Sequence, residues 1–382
     1  MARLGPSHPV DHRTGIVDPQ FTGHPVRPAV VRRLHAGPAG RGWSVNDVSR
    51  WNALCGANLL LLLLVVAVFL GRLLVQRPID GIDEAILGWP EPTVLGFRSM
   101  AAISGVLVGG ALGLSGLLLQ SLLRNPLASP FVLGVSSGAG LGVIVAMALA
   151  ILVPALSIPA AGSIVPAAAG SLVALLIVWA IGTRRGLIDP IAVILAGVII
   201  GTLSGALIML VQSLVPGGVR SDMVLWMMGR IPESPPVQLL WSSGVVLLVS
   251  FVIAQASSPA MDVAMLQDDE AHSIGVNLGR LKNTQFILAG ILAAASVTIA
   301  GPIGFVGLMA PHAARRIVGP GHGRLVLAST LSGALIVLLA DVARQWIDLG
   351  TGRLPIGVMT ALAGGPVFLY LLKRPGGFRW NS

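Results

Sequence analysis

Few residues in this chain have the type and spacing to do chemistry. Asp341 and Arg344 stand three apart inside an otherwise apolar run, which places them on one face of a helix. An ionisable group in such a run is costly if it faces lipid, so the pair is either a proton-coupling acid with its neighbour or a structural ion pair. The second reading is favoured, because Arg344 compensates the carboxylate and a proton-driven carrier uses more buried acids than this. The run Gly134-Val135-Ser136-Ser137-Gly138-Ala139-Gly140-Leu141-Gly142 has the look of a phosphate cradle, but no Gly-Lys-Ser/Thr follows it. It reads better as a helix start whose small residues allow close packing. His312, in Ala310-Pro311-His312, lacks a partner at ligand spacing and is assigned a hydrogen-bonding role at a helix end. Met223, Trp226, Met227 and Met228 suit an oily conduit or, more plainly, interfacial packing. Cys55 is the single cysteine, and no Ser/His/Asp or Cys/His set stands out. Neither a catalytic residue nor a metal centre is expected.

The elements that carry these residues follow from composition. Of 382 residues, 54% are hydrophobic and 11% charged, against roughly 25% charged in a soluble domain. With about 20 apolar residues needed per crossing, the chain is expected to be an all-α polytopic membrane protein of about ten spans. They run over 52–74, 98–122, 131–153, 160–182, 190–214, 237–256, 283–301, 304–318, 325–347 and 355–373. The stretch 283–318 carries Gly301, Pro302, Gly304 and Gly307 at its middle, so it is one kinked helix or two short ones meeting at a break.

Net charge is +9, and every basic residue except Lys282 and Lys373 is arginine. These arginines sit in short connectors rather than on one soluble face, which argues against nucleic acid and for the positive-inside rule. Sorted onto alternate sides of ten spans, the connectors and C-terminal tail divide eleven basic residues to six, even without the N-terminal tail. Both termini are therefore expected in the cytoplasm. Residues 1–50 carry seven arginines and no apolar periodicity and read as a basic, disordered cytoplasmic tail, with 51–375 as the membrane domain and 376–382 as a short C-terminal tail. Residues 77–97 suit a short interfacial helix. Residues 257–282 form the longest polar connector, and within it Asp268 to Gly279 starts acidic and has glycine at two stops. That segment is either a set of short helices able to transmit force from a soluble partner or a plain solvated loop. A faint inverted repeat is visible in Pro190-Ile191-Ala192-Val193 and Pro355-Ile356-Gly357-Val358.

Several motifs go beyond these physical arguments. Gly113-Leu114-Ser115-Gly116-Leu117-Leu118-Leu119-Gln120, Arg124-Asn125-Pro126-Leu127-Ala128-Ser129-Pro130 and Leu133-Gly134-Val135-Ser136-Ser137-Gly138-Ala139 come first. Trp226-Met227-Met228-Gly229, then Gly301-Pro302-Ile303-Gly304-Phe305-Val306-Gly307-Leu308 with Pro311, His312 and Arg315, and Leu354-Pro355-Ile356-Gly357-Val358 with Thr360 and Gly364 follow in order. Over about residues 52–375 the chain resembles the iron-siderophore and cobalamin (FecCD-type) permeases of ATP-binding cassette importers. The resemblance implies a type II importer permease fold in the bacterial inner membrane, with no cofactor on this chain and ATP used by two partner ATPase subunits. It further implies a second permease subunit, identical or a sister chain, and an extracytoplasmic substrate-binding protein that delivers an iron-siderophore, haem or cobalamin cargo. A stand-alone ion-coupled carrier is the rival from another class.

By the same resemblance, Asp269, Glu270, Ala271, Ser273, Ile274, Gly275, Leu278 and Gly279 couple to the ATPase. Arg124, Asn125 and Pro126 form a rigid cytoplasmic turn, and Gly301, Pro302 and Gly304 break a helix beside the pathway. Arg98, Arg344 and Arg353 are expected to meet the binding protein. The match departs from the family here: Met100 and Ala101 replace the Pro and second Arg of Arg-x-Pro-Arg, Arg353 replaces a Glu, and Asp341-Val342-Ala343-Arg344 is one residue short of Asp-x-x-Ala-Arg.

Overall fold

The computed structural model describes residues 45–76, 86–153, 164–184, 186–266, 268–347 and 354–373. The chain divides into two units, Met1–Asn52 and Ala53–Ser382, and the second holds nearly all of the described structure. The N-terminal tail expected over 1–50 falls outside the described residues up to position 44, as does the C-terminal tail.

Twelve α-helices follow one another among the described residues: α1 Val45–Leu74, α2 Pro92–Leu122, α3 Val135–Leu152, α4 Ile164–Gly182, α5 Pro190–Leu214, α6 Gly217–Met227, α7 Val237–Val263, α8 Asp268–Ser273, α9 Leu278–Ala300, α10 Val306–Val318, α11 His322–Trp346 and α12 Ile356–Lys373. Two minimal hairpins interrupt them, β1 (Val75–Gln76) with β2 (Ile86–Leu87), and β3 (Thr183–Arg184) with β4 (Leu187–Ile188). An all-helical architecture is what a lipid-embedded chain requires, since a helix satisfies its backbone hydrogen bonds within the segment.

Local chemistry sets the helix ends. Pro92 and Pro190 stand in the first turn, where a missing N–H costs nothing, and the Asp189 carboxylate accepts from the backbone N–H of Ile191 (3.0 Å) and Ala192 (3.3 Å). Asn277 caps α9 by accepting from Arg280 N at 2.9 Å. Gly301 ends α9 with φ 70°, and Phe305, itself at φ 65°, opens α10. The stretch 283–318 is therefore two helices with a break, and both Pro-Ile quartets open helices.

Among the described residues eight helices are long and apolar enough to span a membrane, and Ile356–Tyr370 is a shorter apolar one. The span expected over 304–318 is the short helix α10. α10 has 13 residues, ~20 Å of helix, and does not by itself match a hydrocarbon core of about 30 Å. It nevertheless returns the chain to the end from which α9 started: His322, four residues beyond α10, binds Asp262 on the last turn of α7. Among the described residues of 77–97, Ile86–Leu87 pairs with Val75–Gln76 and Pro92 begins α2, while 77–85, where most of the expected interfacial helix falls, lies outside the described residues. A correction to the expected connectors is α6, a helix within 215–236 that periodicity did not separate from its surroundings.

α2 is the central helix. Of its most apolar window 83% is buried within the chain, against 17% for α1 and for α7. It packs most extensively on α11 and α9, then on α10. Gly109, Gly113 and Gly116 lie on one face, and a Cβ at each would collide with backbone of Gly333, Ser329 and Gly307 respectively. α3 repeats the device against α4, where Gly138 and Gly142 meet Gly170 and Pro166. The glycine-rich run that resembled a phosphate cradle is thus a packing surface.

Substituting Gly116 with Leu forces α2 off α10. Overpacking of this kind costs about 1–3 kcal/mol, so the variant is expected to lose thermal stability in detergent. Gly244→Ala, whose Cβ would meet only Leu107 at 3.8 Å, is expected to leave the melting temperature unchanged. Equal melting temperatures for both variants would contradict this account of the core.

Candidate functional site

Side-chain hydrogen bonds collect the connectors into two ends. At one end, here the connector end, lie the α2–α3 turn, the β3–β4 hairpin, α8 and the starts of α9 and α11. At the other, the break end, lie the α1 terminus, the Gly301–Phe305 break and the start of α12.

α8 is short and closed by a Schellman motif. Val276 N donates to Ala271 O at 3.2 Å and Gly275 N to His272 O at 3.0 Å, with Gly275 at φ 89°, a conformation glycine adopts without strain. Ala271 is fully buried and Leu278 nearly so, while Glu270, Ser273, Ile274 and Gly275 are exposed and Gly279 is half-buried. The helix is therefore anchored by one methyl and presents Glu270, His272 and Ser273 outward. Asp268 and Asp269 open it, in keeping with the preference of a helix N-terminus for acids. An open cleft of about 500 Å³ runs beside it, lined by Leu187, Ile188, His272, Gly275, Val276, Asn277, Leu278, Gly279 and Lys282.

The Arg124-Asn125-Pro126 turn repeats the same closure. Asn125 N donates to Gln120 O (3.1 Å) and Arg124 N to Ser121 O (3.3 Å), with Arg124 at φ 46° where glycine is usual. The Arg124 side chain compensates: its Nε donates to Ala264 O at 3.0 Å and joins this turn to the root of the α8 connector. Asn125 Oδ1 accepts from Leu127 N at 2.9 Å, and Pro126 keeps the segment from continuing as helix. On the inner side, Arg315 donates to Gln120 Oε1 at 2.5 Å and Gln285 to Ser121 Oγ at 3.0 Å.

The β3–β4 hairpin completes this end and was not foreseen. Asn283 on α9 donates from Nδ2 to Gly186 O at 3.0 Å, and Leu187 lies against Gly279. Its only signal in the sequence is Gly186 between two short β-compatible pairs, too little to distinguish from an ordinary loop.

At the break end, Gly301 cannot carry a side chain: φ is 70° and a Cβ would lie 2.7 Å from Trp226 O. A Cβ at Gly229 would lie 2.4 Å from Pro302 O, and one at Gly357 would lie 2.3 Å from Met228 O and 3.1 Å from Pro302 O, while Arg230 N donates to Ala300 O at 2.7 Å. Three separately noticed motifs, Trp226–Gly229, Gly301–Gly304 and Pro355–Val358, thus form one knot. At Gly304, by contrast, nothing lies within 4 Å of the position its Cβ would take.

Of the three arginines expected at an outer rim, Arg98 is half-buried and donates to Leu73 O at 2.9 Å, and Arg353 falls outside the described residues. Arg344 requires a correction. It is 5% exposed and donates Nε to Asp341 Oδ1 at 2.6 Å, so it is taken up inside the chain rather than offered at a rim. Asp341 is wholly buried and also accepts from Arg72, which is 2% exposed. Arg72 lies inside the expected first span, 52–74, in the last turn of α1. No local pattern connects it to a residue 269 positions away.

These features define a polytopic, all-helical membrane transport subunit with a rigid connector end. The chain belongs to the FecCD transport family, whose match covers residues 59–374. It is 38% identical over 274 residues to the cobalamin import system permease protein BtuC of Halobacterium salinarum, covering 71% of this chain and 70% of that one. To the Fe(3+)-citrate import system permease protein YfmE of Bacillus subtilis it is 34% identical over 325 residues, covering 83% and 93%. To the hemin transport system permease protein HmuU of Yersinia pestis it is 34% identical over 282 residues, covering 73% and 83%. A solved inward-facing structure of a metal-chelate type ABC transporter aligns with TM-score 0.71 at 27% identity, covering 84% of this chain and 100% of that one. The chain is a permease subunit of an ABC importer, a multi-pass transport protein whose ATP hydrolysis belongs to separate chains.

Removing Asp341 leaves two guanidiniums buried without their carboxylate. Asp341→Ala is expected to cost about 3–5 kcal/mol, read as a fall in melting temperature. Replacing the whole cluster (Arg72→Met, Asp341→Leu, Arg344→Met) is expected to recover most of that loss. A triple variant no more stable than Asp341→Ala would show that the cluster is not acting as a unit.

Proposed function

We propose that this permease imports a ferric siderophore complex, by alternating access driven from ATPase subunits seated against α8. The single observation that carries the coupling half of this reading is α8 itself: a Schellman-closed helix with one buried methyl and an exposed outer face, tied through Ala264 to the α2–α3 turn. A plain solvated loop would have neither the closure nor the tie. In this reading Asp269, Glu270, Ala271, Ser273, Ile274, Gly275, Leu278 and Gly279 form the segment that meets the ATPase, and Arg124, Asn125 and Pro126 brace it.

The connector end then lies in the cytoplasm, as the excess of basic residues there favours, and both termini with it. The membrane is the bacterial inner membrane. Two ATPase subunits, a second permease copy or sister chain, and a binding protein on the opposite side complete the assembly. Arg98 and, by the family resemblance, Arg353 are the arginines assigned to meet acidic groups of that binding protein. Iron is favoured as cargo because the relatives that match most of this chain include several named for ferric chelates. Haem and cobalamin are the alternatives, each the named cargo of a relative.

Uptake into proteoliposomes tests the reading. With ATPase and binding protein present, labelled ferric siderophore is expected to accumulate only with ATP, and cobalamin and hemin to compete poorly. Gly275→Glu forces a side chain into φ 89° and should abolish uptake while ATP hydrolysis continues. Uptake by the permease alone, collapsing with an ion gradient, would instead establish a secondary carrier. Arg98→Glu is expected to weaken binding-protein docking more at low salt than at high salt; an affinity indifferent to both removes Arg98 from the interface.

A further inference from the structure

α11 begins at His322 behind Gly321, a residue with no side chain to cap it. The N-terminal N–H groups of a helix need acceptors, and here one comes from another helix. Asp262 Oδ1 accepts from His322 N at 2.9 Å and lies 2.7 Å from His322 Nδ1, whose ring is 1% exposed. Asp262 stands two residues before Ala264, the root of the α8 connector. Gln255 and Ser258 share its face of α7, three and four residues apart. Gln255 Nε2 donates to Gly323 O at 2.8 Å, and Gly323 has only Ser258 Oγ near its missing Cβ, at 3.6 Å, so the two backbones close together.

α11 is in turn locked to α2 through Gly333 and Ser329, and ends in the cluster of Asp341, Arg344 and Arg72. From His322 to Asp341 is ~28 Å of continuous helix. The root of the α8 connector is thus hydrogen-bonded to the start of a helix whose other end organises the opposite face of the bundle.

We propose that Asp262 is a positioning residue for transport: its bond to His322 is the joint by which movement of the α8 segment is carried along α11 to the Asp341 cluster. This rests on the reading of 268–279 as the ATPase-coupling segment. Asp262 touches no cargo or nucleotide. It acts by making the last turn of α7 and the first turn of α11 move as one body, and a charged acceptor on a buried N–H and imidazole is stronger than a neutral contact would be.

The test uses the full complex of permease and ATPase in lipid nanodiscs and needs no cargo. Deuterium uptake is followed at 268–279 and at 338–347, before and after trapping with ATP and vanadate. In the wild type both segments are expected to change, the distant one by about fivefold or more in exchange rate, the lower range for coupling between sites. Asp262→Ala should keep the change at 268–279 and the rate of ATP hydrolysis, and lose the change at 338–347. Asp262→Asn, whose amide oxygen still accepts from His322 N, should restore it. Should Asp262→Ala not assemble, Gln255→Leu removes the second bond of the same joint and carries the same expectation in weaker form. A distant response intact in these variants, or absent from the wild type, overturns the joint while leaving the coupling segment in place. No response at 268–279 in the wild type overturns both.

Discussion

The constraint on which the rest depends is the near contact of backbones along α2. Lipid offers no hydrophobic drive for one apolar helix to leave it for another, so association relies on close packing and on polar groups that find partners inside. Gly109, Gly113 and Gly116 let α2 approach α11 and α10 to a distance at which any side chain would collide. Ser115 Oγ then reaches Ala289 O on α9 at 2.7 Å. With α2 fixed against three helices, its C-terminal turn at Arg124 becomes a rigid point, and the α8 connector is hydrogen-bonded to that point.

The same logic separates the two ends. The connector end is built from short closures, Schellman motifs at Arg124 and Gly275 and an aspartate cap at α5, whose bonds run mostly between backbone atoms. Such closures give a surface of defined shape without a large soluble domain. The break end is built from glycines and proline around Pro302, and from one carboxylate shared by two guanidiniums. Burying those charges carries a desolvation cost that their mutual attraction must offset, so the cluster serves specificity of arrangement more than stability.

Much of this was legible in the sequence because lipid reduces the choices. Apolar runs of about 20 residues place the helices, and the proline at 190 and the glycine at 301 mark a start and a stop, whereas α2 begins at Pro92, ahead of the expected 98. The motifs from Gly113 to Pro130, Gly301 to Arg315 and Leu354 to Gly364 identified the family. What stayed hidden depends on long-range contact. Arg72 passed unremarked at the end of the first span because nothing nearby announces Asp341. His322 drew no notice because Asp262 lies 60 positions away. Arg344 was assigned to a rim by resemblance, whereas its three-residue spacing from Asp341 had pointed to the ion pair that the structure contains. The break between α9 and α10 was legible in Gly301, Pro302, Gly304 and Gly307, and what stayed hidden is that α10 has only 13 residues.

The central claim is that α8 is the cytoplasmic seat of an energy-supplying partner. A single cysteine at Ile274, placed in a Cys55→Ser background, measures this directly in oriented membrane vesicles with a membrane-impermeant thiol reagent. The account predicts labelling from the cytoplasmic side only, and protection when the ATPase is bound. Labelling from the outer side, or labelling unaffected by the ATPase, would contradict it.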